Sequence, residues 1–71
     1  MKPEEWIEEF AKAIGGEAPD ETTVDELLDL AAVAAHSSER TAAPIACYLA
    51  GRDGRPISEL KALADEVPGG D

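Results

Sequence analysis

Residues 24–35, VDELLDLAAVAA, constrain this chain more than any other stretch. Val24, Leu27, Leu28, Ala31, Val33, Ala34 and Ala35 repeat with the period of a helix, and Leu30 broadens their stripe. More than half of the circumference is then apolar, so the helix has to be covered from several directions and belongs at the centre of its fold. Its many alanines add a second constraint: small side chains leave little to hold a neighbouring axis away, so the neighbour comes close. Thr23 followed by Glu26 has the spacing of a capping box and marks the expected start.

Three other segments carry the same period between stop signals. KPEEWIEEFAKAIGG puts Trp6, Ile7, Phe10, Ala13 and Ile14 on one face. Pro3 suits a first turn, Glu4 and Glu5 meet the positive end of the helix dipole, and Gly15-Gly16 end the run. Trp6 and Phe10, one turn apart, are expected in the core. Thr41 is the expected N-cap of a third helix. Pro44 is harmless at its third position because first-turn N–H groups have no intrahelical partner. Ile45, Tyr48 and Leu49 form the stripe of this helix and Gly51 its end. Asp53-Gly54 is a hairpin dipeptide, but Pro56 and the lack of alternating strand residues argue against a hairpin. Ser58 is the expected cap of a fourth helix, with Leu60, Leu63, Ala64 and Val67 inward. The expected fold is therefore all-α: a small bundle of four short helices over about residues 3–14, 24–38, 42–50 and 58–67. They form a single domain over residues 1–67, followed by a disordered tail over 68–71.

Size and charge narrow what such a domain can do. A chain of 71 residues buries only roughly 60 % of the surface its unfolded form exposes, which leaves no room for an enclosed substrate cavity beside the core. One cysteine excludes an internal disulfide and suits a reducing compartment. The first ten residues are acidic and amphipathic, unlike a signal peptide, and no apolar run approaches the roughly 20 residues of a membrane span. A soluble protein without a membrane partner is expected. Residues 1–39 hold 11 acids against Lys2 and Lys12, whereas residues 40–71 hold five acids and four bases, so nearly all of the net charge of −10 lies in the first part. That surface repels phosphate backbones, and no nucleic-acid partner is expected. It fits a basic protein partner, and equally the solvated face of ordinary Glu-rich helices.

HSSERTAAPIACYLAG, residues 36–51, collects the only His, Cys and Tyr. Catalysis needs a nucleophile, a base and an orienting group. Ser37 and Ser38 adjoin His36, but neighbours at a helix end point in different directions and make a poor dyad. Cys47, inside an apolar segment, reads as a small core residue. No ligand spacing suits a metal, and GRDGRP lacks both the spacing and the preceding strand of a phosphate loop. Arg52 and Arg55, beside the start of the fourth helix, could hold an anion or simply belong to a solvated turn. No catalytic residue, metal or cofactor is expected, and the chain is not expected to be an enzyme. Acyl carrier proteins match in size, acidity and helix count, but need a modified Ser opening the second helix, where VDELLDL has Glu26.

His36, Arg40, Ala42, Ala43, Pro44, Tyr48, Leu49 and Gly51 form the pattern H-x3-R-x-AAP-x3-YLxG, downstream of the Trp6 helix and the Val-Asp-x-Leu-Leu-x-Leu-Ala helix. Over about residues 4–51 this resembles the uncharacterised helical domain that accompanies MobA-like molybdenum-cofactor guanylyltransferases, fused to their C-terminus or free-standing. The resemblance implies a cytoplasmic protein in molybdopterin guanine dinucleotide biosynthesis. It implies a non-enzymatic accessory or protein-interaction module whose partner is a MobA-like nucleotidyltransferase or a molybdoenzyme, because the Gly-rich catalytic domain is missing. His36, Arg40 and Tyr48 then either tie down the corner between helices two and three or line a binding notch. The alternative function is a small anion- or nucleotide-ligand-binding domain at that corner, using Arg52 and Arg55 as well. Surplus apolar surface on helices one and four leaves a homodimer open.

Overall fold

A computed structural model describes residues 1–68. Among these the chain forms four α-helices and no strand: α1 (Pro3–Ala13), α2 (Glu21–Ser37), α3 (Ala42–Asp53) and α4 (Ile57–Asp65). The all-α reading holds. Of the tail expected over 68–71, only Pro68 lies within the described residues.

The helix ends show why the boundaries moved. α2 begins at Glu21 because Asp20, not Thr23, is its N-cap: the Asp20 carboxylate accepts the Thr23 N–H at 2.8 Å. The expected capping box of Thr23 and Glu26 is therefore displaced by a single side-chain cap one turn earlier. α1 ends in a Schellman turn. Gly15 adopts φ 79° and donates to Lys12 O at 3.0 Å, while Gly16 donates to Ala11 O at 2.8 Å. α3 runs through Gly51 to Asp53 and stops at Gly54, whose φ of 88° is the left-handed value a C-cap glycine supplies freely. Thr41 precedes α3 without capping it through its side chain; Glu39 O and Arg40 O instead accept the Ala42 and Ala43 N–H groups. Pro56, rather than Ser58, caps α4, with Pro56 O accepting from Glu59 and Leu60.

α2 is the central helix, and α3 and α4 each pack on it. The α2–α3 contact is made by small residues: Ala43, Ala46, Cys47 and Ala50 turn inward, and Ala50 is buried. Facing them, Leu30 of α2 is 4 % exposed and is the largest buried side chain among the described residues. The apolar stripe read from the sequence is the outer face of α3. Ile45, Tyr48 and Leu49 are all more than half exposed. α3 is apolar around most of its girth, and the side with the smallest residues wins the contact because it permits the closest approach. α4 contributes Ile57, Leu60 and Ala64 to its packing, but Leu63 and, beyond the helix end, Val67, both expected inward, face outward.

α1 overturns a second expectation. It packs substantially on none of the other helices. Trp6 and Phe10 stack on each other, with ring centroids 5.2 Å apart, yet remain 56 % and 50 % exposed. Only Ala11 is buried, in a small cleft with Gly16 and Ala18 formed by the helix's own terminal turn and connector. The chain's radius of gyration, 12.9 Å, exceeds the roughly 11 Å of a compact domain of this length.

Two outcomes follow. Leu30→Ala removes the main buried side chain and costs about 2–4 kcal/mol, enough to unfold most of the population in urea or thermal denaturation. Asp20→Ala lowers the melting temperature by a few degrees at neutral pH. The Thr23 N–H holds the Asp20 carboxyl below its ordinary value of 3.8, so its contribution is present above that pH and is lost as pH falls through the lowered value. Melting curves of wild type and Asp20→Ala, taken at neutral pH and in acid, should therefore converge in acid.

Candidate functional site

The α2–α3 corner does not gather the residues that the sequence marks out. His36, Arg40 and Tyr48 are all exposed. Among the described residues none of their side chains enters a hydrogen bond or an ion pair. The corner is held by backbone instead, through Ser38 N–H to Ala34 O at 3.1 Å and the turn from Glu39 into α3. Ala43 faces α2, Pro44 is exposed at the third position of α3, and Gly51 lies inside that helix.

Arg52 and Arg55 divide. Arg55 is clamped by Asp53, with Nε donating to Oδ1 at 2.8 Å and Nη2 to Oδ2 at 3.0 Å. Those bonds, with the Arg55 N–H, hold the Asp53 carboxyl below its usual range and raise the guanidinium above its own. An anion would have to compete with that fork. Arg52 is outside this pair and lies 5.9 Å from the centroid of the Tyr48 ring, a cation–π contact on the exposed side of α3.

What the helices do build is a groove. α3 and α4 both lean on α2 without substantial packing on each other, and the gap between them stays open over the C-terminal half of α2. Its volume is about 600 Å³. Val33 and Ala34 of α2, Ile45 and Leu49 of α3, Ala64 of α4 and Val67 just beyond its end line it. The lining is mostly apolar, and no buried polar side chain lacks a hydrogen bond among the described residues. In the chain, Glu39 and Arg40 lie between the lining residues Ser38 and Ala42, Arg52 follows Leu49 by one turn, and Asp65 and Glu66 lie between Ala64 and Val67, so charges of both signs adjoin the lining segments. The second unsatisfied surface is the stripe of α1, where Trp6, Phe10 and Ile14 stand in solvent between the carboxylates of Glu4, Glu8 and Glu9.

Sequence reasoning read Ile45 and Leu49 as the apolar stripe of the third helix and Val67 as inward, and so missed the groove. The signal was present: an all-round apolar α3 offers its partner either its small or its large side, and the unused side must be accounted for.

Among the described residues no cluster of His, Cys, Asp or Glu is arranged to hold a metal ion. No helix among them is long and apolar enough to cross a membrane. A family model matches residues 2–67, that of the Domain of unknown function (DUF6457). The chain belongs to this family. The match takes in α4 as well as the first three helices, beyond the stretch of about 4–51 that carries the resemblance, and its description names no activity. No curated protein and no solved structure shows a match to the chain.

Because His36 and Arg40 make no side-chain hydrogen bond or ion pair among the described residues, His36→Ala and Arg40→Ala should each change stability by less than about 0.5 kcal/mol in urea denaturation, and Tyr48→Ala by at most about 1 kcal/mol, the worth of its exposed contact with Arg52. A loss well above 1 kcal/mol at any of them would mean that the side chain supports the corner after all.

Proposed function

We propose that this domain is a non-enzymatic helical interaction module that receives a helix of a protein partner in the groove between α3 and α4. The observation that carries the reading is the groove itself: an open apolar trough over α2, walled by Ile45 and Leu49, side chains left more than half exposed. A trough between two helices presents rows of apolar side chains at helical spacing, which an amphipathic helix matches with residues one turn apart. Apolar surface of this kind on so small a chain is a mark of association.

The resemblance to the domain that accompanies MobA-like guanylyltransferases supports the choice of partner. The module then acts in the cytoplasm as an accessory of such an enzyme, which supplies the chemistry. An anion- or nucleotide-ligand site at the α2–α3 corner has less behind it, because Arg55 is held by Asp53 and His36, Arg40 and Tyr48 share no partner.

Calorimetric titration of the domain into a purified MobA-like guanylyltransferase should give saturable binding in the low-micromolar range. Leu49→Glu, on the groove wall, should abolish it while leaving the helical circular dichroism unchanged. Absence of binding removes the enzyme as partner, and binding that survives Leu49→Glu removes the groove as its site.

A further inference from the structure

We draw no further inference here: the strongest candidate, the exposed Trp6–Phe10–Ile14 stripe along α1, is an unpartnered apolar face whose helix carries Lys12 as well as Glu4, Glu5, Glu8 and Glu9, and nothing in the structure shows what covers it.

Discussion

The Sγ of Cys47 lies 3.9 Å from the carbonyl oxygen of Leu27, a side chain of one helix against the backbone of another. Such a contact exists only where two axes run very close, and the α2–α3 pair reaches it by lining the seam with Ala43, Ala46, Cys47 and Ala50. Alanine loses no rotamer freedom on burial, and close backbones gain dispersion over many atom pairs. The same economy limits what the seam can supply, since each alanine removes little apolar area from water. Ala11, Leu30 and Ala50 are the buried residues among those described. The fold therefore holds a small core in which close approach substitutes for bulk.

That choice dictates the rest of the surface. With the small side of α3 turned inward, Ile45, Tyr48 and Leu49 have to point away. With α3 drawn tightly onto α2, α4 takes a different part of α2 and cannot also lie along α3. The groove is the space left over. α1 would close it in a compact bundle, but the connector Ile14–Asp20, stiffened at one end by the Schellman turn and at the other by the Asp20 cap, leads α1 elsewhere. The stacked Trp6 and Phe10 rings then shelter part of each other's surface and nothing else.

Helix number, order and type were legible in the sequence because the 3.6-residue period and the Gly and Pro stops are local properties of the chain. The central place of α2 was legible too, from its girth. The N-cap of α2 was not, since Asp20 and Thr23 are both good caps three residues apart, and the choice depends on which start lets the helix grow longer. Facing was lost where a helix is apolar on two sides. Nothing in AAPIACYLAG states whether the alanines or the Ile45–Leu49 ridge will meet α2, because the answer depends on how near the partner's backbone can come. The corner stood out through its rare residues, His36, Tyr48 and Arg40, but rarity is a property of composition. Their side chains project into solvent independently of one another, and the backbone turn from Glu39 closes the corner without them.

A monomer with so little buried is stabilised by anything that binds its folded form. Mass action adds RT ln(1 + [L]/Kd) for an occupant of the groove, about 2.7 kcal/mol at a hundredfold excess over Kd. That is comparable with the few kcal/mol that a core in a domain of this size provides. Folding and the proposed association are thus of similar magnitude here, and the apolar surface that weakens the isolated chain is the surface that association would cover. The acidic character fits this arrangement. A high net charge keeps exposed apolar faces from clumping indiscriminately.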